Sequence, residues 1–240
     1  MRFLITNDDG IEADGIIRLA KTASRLGEVW VIAPNRERSA NSQCITIGRA
    51  FEVYEFDFPV PNVHAYAVDG TPADCIRMGV DCVMTERPDY ILSGVNYGLN
   101  TGYDCAYSGT LGAAFEGLMQ GIPSIALSTK FDGPHEVEDA YMYEILKELI
   151  EKPAPKGAVW NVNFPGCPLS EFKGKLYDRS VADAHVFDDH YKVVEHTDRG
   201  FMVRAFGTPT PTDTLPKDSD AFASRTGYIS IGPAYLVSAR

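Results

Sequence analysis

The chain has 240 residues, with 22 Lys and Arg against 33 Asp and Glu, for a formal net charge of −11. That length buries a full core in one compact domain without requiring a second, and the acidic balance removes any chain-wide field favouring nucleic-acid polymers or an anionic membrane. The five cysteines, Cys44, Cys75, Cys82, Cys105 and Cys167, form no CxxC pair and are odd in number, which fits reduced thiols in a cytoplasmic protein better than a disulfide framework.

Residues 2 to 6 are an almost uninterrupted apolar and β-branched run that fits a buried parallel strand, and the run ends abruptly in Asn7, Asp8, Asp9 and Gly10. The strand delivers two adjacent carboxylates to its own carboxyl end. In open α/β sheets ligands bind at that edge, and two neighbouring anions there need a cation between them or a shared proton. Ile16, Leu19, Ala20, Ala23 and Leu26 then recur at helical spacing up to Gly27, and a second apolar strand from about 28 to 33 closes at Pro34. This is a βαβ unit with a right-handed crossover expected. The polar loop Asn35 to Gln43 lies at the carboxyl end of its second strand.

Between 44 and 68, CITIG, AFEVYEF and VHAYAV read as short strands, an excursion with a hairpin and a return. Thr71 is the expected N-cap and Pro72 the first position of a helix running through Met84. DYILSG, 89 to 94, is the next strand and opens into the glycine-rich loop VNYGLNTGYDCAYSG. A tightly packed helix over TLGAAFEGLMQG, a strand PSIALS and an amphipathic helix from His135 to Lys152 follow. Alternating strand and helix predicts a parallel sheet covered on both faces. After 153, AVWNVNFP reads as one more sheet strand, FKGKLYDRSV, YKVVEH and GFMVRAFG as β ribbons, and a short helix around 218 to 226 precedes a last strand, YISIG. This final third is expected to cover the site or to join subunits. No stretch reaches the ~20 apolar residues that span a bilayer, and the amino terminus has no export-signal pattern.

Asp8 and Asp9 lead the candidate residues, although acids after a strand also serve as turn or capping groups. Two further strand-end loops carry hard oxygen donors, Ser39 with Ser42 and Asn96 with Asn100. Carboxylate, hydroxyl and amide oxygens suit Mg²⁺, Mn²⁺ or Ca²⁺, whereas zinc recruits His or Cys. Tyr107, Ser108, Gly109 and Thr110 stand where a loop becomes a helix. Unpaired N–H groups and two hydroxyls there make an anion pocket, and the same residues are also ordinary caps. A phosphoester would bridge pocket and metal. No GxxxxGK[ST] or GxSxG pattern is present, no GxGxxG follows the first strand, and the two acids at its end are adjacent rather than spaced as DxD, which argues against ATP cradles, dinucleotide folds, nucleophile elbows and phosphoaspartate phosphatases. His185, His190 and His196, with Asp188 and Asp189, read as a solvated segment; Arg36 and Arg38 either meet phosphate or form a mixed-charge loop; Tyr97, Tyr103 and Tyr107 either stack a base or pack their loop.

In order along the chain, NDDG, APxxxxS, GTPADC, SGVNYGLNTG, YSGTLGAAFEG, NVNFP and GYISI resemble the SurE family, the stationary-phase survival protein E nucleotidases. The resemblance covers nearly the whole chain. It implies an α/β, Rossmann-like, mostly parallel sheet flanked by helices, with a core over 1–153 and, over 154–240, a final core strand plus β-hairpin extensions used in oligomerisation. It further implies a homodimer or homotetramer and a metal-dependent hydrolase acting on nucleoside 5′- or 3′-monophosphates. Its metal ligands match Asp8, Asp9, Ser39 and Asn96, around one divalent ion per subunit, Mg²⁺ or Mn²⁺, and its phosphate contacts match Asn100, Ser108, Gly109 and Thr110. Two positions depart from the family pattern: Ala40 follows the ligand serine where glycine is usual, and SIGPAY replaces a typical SxTPL. Alanine would tighten the metal loop if that position needs a positive φ. Asp8 and Asp9 are the expected catalytic pair, with Asp9 orienting or deprotonating water. The alternatives are a metal-dependent nucleotide-sugar transferase and a non-catalytic metal and nucleotide sensor.

Overall fold

The computed structural model describes residues 1–236; the last four residues of the expected carboxyl-terminal extension lie outside the described residues. In chain order the elements are β1 (Arg2–Thr6), α1 (Asp14–Ala23), β2 (Glu28–Pro34), β3 (Val53–Glu55), β4 (Val63–Val68), α2 (Pro72–Met78), β5 (Tyr90–Tyr97), α3 (Gly109–Met119), β6 (Ser124–Thr129), α4 (Glu136–Glu151), β7 (Ala158–Phe164), β8 (Gly174–Leu176), β9 (Phe187–Thr197), β10 (Gly200–Pro209), α5 (Asp220–Arg225) and β11 (Tyr228–Tyr235). The main sheet runs β3-β4-β2-β1-β5-β6-β7-β11-β8, and β9 and β10 form a separate antiparallel ribbon. β4, β2, β1, β5, β6 and β7 are mutually parallel; β3 and β11 enter antiparallel, and β8 lies parallel to β11.

Strand alternation sorts the core onto two faces. Phe3 and Ile5 of β1 pack with Ile16 and Leu19 of α1 and Ile145 and Leu146 of α4, while Leu4 points the other way to meet Ile32 and Cys75 and Ile76 of α2. The helices therefore cover both sides, as the strand–helix alternation predicts. The order β2-β1-β5 also reverses the direction in which the chain builds the sheet. A crevice for ligand opens at such a reversal, outside the carboxyl ends of β1 and β5.

Four local features differ from the sequence reading. Residues 44–48 form no strand, because Thr46 donates from its N–H (2.9 Å) and its hydroxyl (2.6 Å) to the Asp74 carboxylate instead of to a neighbouring chain. Asp74 also completes a reciprocal cap with Thr71, which is the expected N-cap of α2. That helix ends at Met78 and continues as a wider π turn over Gly79–Val83 rather than as α-helix to Met84. β5 extends past Gly94 to Tyr97, across a register break between Ser93 and Asn96, so Asn96 sits at a strand end rather than inside a loop. Of the segment 172–181 only β8 is strand, and it joins the main sheet rather than a ribbon.

Candidate active site

The turn after β1 is built for close approach. Asn7 Nδ2 donates to the carbonyl of Gly10 at 2.8 Å, Gly10 takes a φ of 103°, and the next N–H, on Ile11, bonds to the carbonyl of Pro34 at 2.9 Å. A side chain on Gly10 would sit 3.3 Å from the backbone of Arg36 in a conformation that L-residues avoid. The β1 and β2 ends are thereby locked together, and Arg38 N–H closes on the Asp8 carbonyl at 2.7 Å.

Asp8 is buried. Its Oδ1 accepts a 2.6 Å hydrogen bond from the Thr110 hydroxyl, and its Oδ2 lies against the Cα of Gly109, where a Cβ would come within 2.9 Å. Burial raises its pKa, opposed by the Thr110 hydroxyl and by the N–H groups of Gly109 and Thr110 at the start of α3. Asp9 is half-buried and accepts from the N–H of Tyr97 at 3.2 Å. Burial, with the charge of Asp8 beside it, pushes its carboxyl up to about 6. Two acids held this way are short of positive charge.

Asn96 supplies the third element. Its Nδ2 donates to the carbonyl of Gly98 at 2.7 Å, and among the described residues its amide oxygen has no hydrogen-bond donor. Ser39 is exposed, one residue beyond Arg38, with its hydroxyl donating to Glu37 at 2.9 Å. Contacts thus join Asp8, Asp9 and Asn96 at the crevice, the last through its neighbour Tyr97, while Ser39 reaches the group only through the backbone of Arg38. Ala40 has a φ of 57°, so the alanine occupies the left-handed conformation that the resemblance made critical.

Among the expected phosphate residues, Ser108 caps α3 by accepting the Leu111 N–H at 3.1 Å, Gly109 opens the helix, and Thr110 commits its hydroxyl proton to Asp8. Asn100 is buried and held on all sides: its N–H donates to Asn163 Oδ1 at 2.9 Å, its amide to Ser128 Oγ at 2.8 Å, and its carbonyl accepts from Asn161 at 2.9 Å and Asn163 at 3.1 Å. Asn161 and Asn163 were legible as a motif but had no assigned role. The signal is the Asn-Val-Asn alternation, which puts both amides on one face of β7, toward this loop. Ser42 ties the second loop in, bonding Tyr107 O (3.0 Å) and Ala106 O (2.8 Å).

Arg36 and Arg38 both pair with Asp69, at 3.1 and 2.9 Å. Tyr97 stacks on His135 with centroids 4.9 Å apart, Tyr103 bonds Asp183 at 2.8 Å, and Tyr107 stays exposed. His190 meets Asp188 at 3.2 Å on the solvated ribbon, and His185 packs edge-on to Tyr103. Among the described residues, no three His, Cys, Asp or Glu side chains gather as a metal cluster. Any cation at the crevice therefore draws on a mixed oxygen set. Among the described residues no helix is long and apolar enough to cross a membrane, and the five cysteines are free thiols.

Known proteins resemble this chain in sequence and in fold. The family model for survival protein SurE matches residues 3–185. The 5′-nucleotidase SurE of Thermosipho africanus is 37% identical over 235 residues, covering 97% of this chain and 91% of that protein. The 5′/3′-nucleotidase SurE of Cronobacter sakazakii is 37% identical over 237 residues, covering 98% and 90%. The crystal structure of the SurE protein from Aquifex aeolicus superposes with a TM-score of 0.82 at 29% identity, over 98% of this chain and 93% of that one. Matched along its length in sequence and in fold, with the acidic turn after β1 and the α3 helix start facing one crevice, the chain belongs to the SurE family.

Proposed function

We propose that the protein is a metal-dependent phosphomonoester hydrolase that releases phosphate from nucleoside 5′-monophosphates and also accepts the 3′ isomers. The observation that carries this reading is the meeting of buried Asp8 and half-buried Asp9 with a helix N-terminus at the sheet's reversal point, beside the names of the relatives. The residues fit a divalent cation. Both acids are pushed toward protonation in a crevice whose other donors are hydroxyl and amide oxygens, so a hard cation is the charge that would let both ionise.

Asp8, Asp9, Ser39 and Asn96 would hold Mg²⁺ or Mn²⁺, one ion per subunit. When bound, the cation supplies Lewis-acid polarisation of the phosphoryl group and of the attacking water. Thr110 pins Asp8 through its 2.6 Å hydrogen bond, so the carboxylate presents one orientation. Asp9, once ionised, accepts the proton of the water. The Asn100 amide, the Ser108 hydroxyl and the first N–H groups of α3 meet the phosphoryl oxygens as charge develops. Asn163 and Asn161 fix the backbone of Asn100 and Ser128 Oγ accepts from its amide, so the side chain is oriented before substrate arrives.

The β9–β10 ribbon is solvated along both strands and bears exposed Tyr191, Val193, Phe201 and Val203. Those apolar groups favour a homodimer or homotetramer in which the ribbon packs on a second copy. The free cysteines favour the cytoplasm.

The activity is tested by measuring free phosphate from AMP, GMP and 3′-AMP with Mn²⁺ present and no acceptor added. Phosphate release from the 5′ compounds supports the hydrolase. Binding without turnover sinks it in favour of a sensor, and turnover only with an added acceptor sinks it in favour of a transferase.

A further inference from the structure

The carboxyl edge of the sheet carries a second concavity that the phosphate chemistry does not use. A groove of about 700 Å³ is lined by Gly98, Leu99, Phe131, Pro165, Phe187 and Thr210, among others. That volume falls within the roughly 300–1,000 Å³ typical of small-molecule sites. Its near end is fixed by one hydrogen bond, from Asn96 Nδ2 to the carbonyl of Gly98 at 2.7 Å. The groove therefore starts one hydrogen bond away from a residue of the proposed metal site. Its far end is the root of the ribbon, where the Arg225 guanidinium bonds the carbonyls of Thr210 and Val186, both at 2.6 Å, and lies 5.7 Å from the Phe187 ring centroid.

Phe131 is the unusual feature. It follows β6 at the carboxyl edge of the sheet, is 73% exposed, and lines the groove together with Leu99, Pro165 and Phe187. An aromatic face in a groove that begins one hydrogen bond from Asn96 matches a substrate with a flat apolar half joined to an anionic one. We infer that the groove takes the nucleoside half of the substrate, with Phe131 stacking the base; this rests on the nucleotidase reading. The competing platform is Tyr107, which is 66% exposed and lies across the crevice beside Ser42.

The test compares kcat/KM for AMP and for ribose 5-phosphate, which carries the phosphate without a base, in the wild type, Phe131→Ala, Phe131→Trp and Tyr107→Ala. Base–aromatic stacking of ~1–3 kcal/mol corresponds to about a fivefold to 150-fold effect. The AMP to ribose 5-phosphate ratio is expected to fall about tenfold or more in Phe131→Ala, through KM, and to be retained in Phe131→Trp. An unchanged ratio in Phe131→Ala, or a selective loss in Tyr107→Ala instead, overturns the inference and leaves the nucleotidase reading standing. Wild-type protein that hydrolyses ribose 5-phosphate and not AMP overturns both.

Discussion

Replacing Gly109 with alanine separates the needs of the site from those of the fold. Gly109 is the first residue of α3, a helical position where alanine is the better helix former. The added Cβ would lie 2.9 Å from Asp8 Oδ2 and 3.0 Å from Asp8 Cβ. Ordinary contacts begin near ~3.5 Å, so the carboxylate must retreat by about half an ångström. It cannot retreat freely, because the Thr110 hydroxyl holds its other oxygen at 2.6 Å and the group is buried. Misplacing a reacting group by 1 Å costs about 10²-fold, so this shift is expected to cost about tenfold in kcat. Stability should move little, since helix propensity offsets strain and each 1 kcal/mol shifts Tm by only about 2–4 °C in a protein of this size. The assay is phosphate release from AMP across a Mn²⁺ titration, alongside a thermal melt. Full activity with an unchanged Tm would show that the position of Asp8 does not matter and would refute the reasoning.

Asp220 gives a pH signature away from the crevice. Burial pushes its carboxyl up to about 6 although the N–H groups of Ala182, Ala221 and Gly102 donate to it. Because the folded pKa is raised, its contribution is fully present below about pH 4 and is lost as pH rises to about 6, by roughly 3 kcal/mol. Denaturant melts at pH 4.5 and 7 should therefore show a smaller loss in Asp220→Asn than in the wild type, and equal losses would contradict the assignment. Ala40→Gly relieves a left-handed alanine (φ 57°), worth about 1–2 kcal/mol, against about 0.5–1 kcal/mol of extra chain entropy. A net gain of about 0.5–1 kcal/mol is expected in urea unfolding, and a loss would show that the loop does not pay that strain. Tyr191→Glu with Val203→Lys puts charge on the ribbon where both residues are exposed. Sedimentation should then report a smaller species than the wild type, and an unchanged mass would remove the ribbon from the assembly.

The opening βαβ unit was legible because each element carries an uncontested signal: a continuous apolar strand, a 3.6-residue apolar repeat, and Gly27 or Pro34 as a stop. Thr71 was legible as a cap for the same reason, its partner Asp74 lying three residues on. Residues 44–48 misled because β-branched content favours a strand only where a neighbour is available to pair. Here the nearest strong acceptor is Asp74, far along the chain, and a long-range hydrogen bond leaves no mark on local composition. The sheet membership of β8 was hidden likewise, since its parallel pairing with β11 joins residues more than fifty positions apart.

At the crevice, residue types and spacing singled out Asp8, Asp9 and Asn96, but not what each one touches. That Thr110 spends its proton on Asp8 and that Ser39 turns to Glu37 are properties of packed loops. The supporting asparagines of β7 were partly readable, since a two-residue period fixes the face on which they lie. Their target, the backbone of Asn100, depends on how β5, β6 and β7 are ordered in the sheet.

The central claim is that Asp8 and Asp9 work through a divalent cation to release phosphate. The most direct measurement follows phosphate release from AMP by chelator-treated protein, before and after adding Mn²⁺ or Mg²⁺, in the wild type and in Asp8→Asn and Asp9→Asn. The expected result is phosphate only in the wild type and only with metal, with each variant reduced at least a hundredfold. Near-wild-type release by either variant, or undiminished release by the chelated wild type, would contradict it.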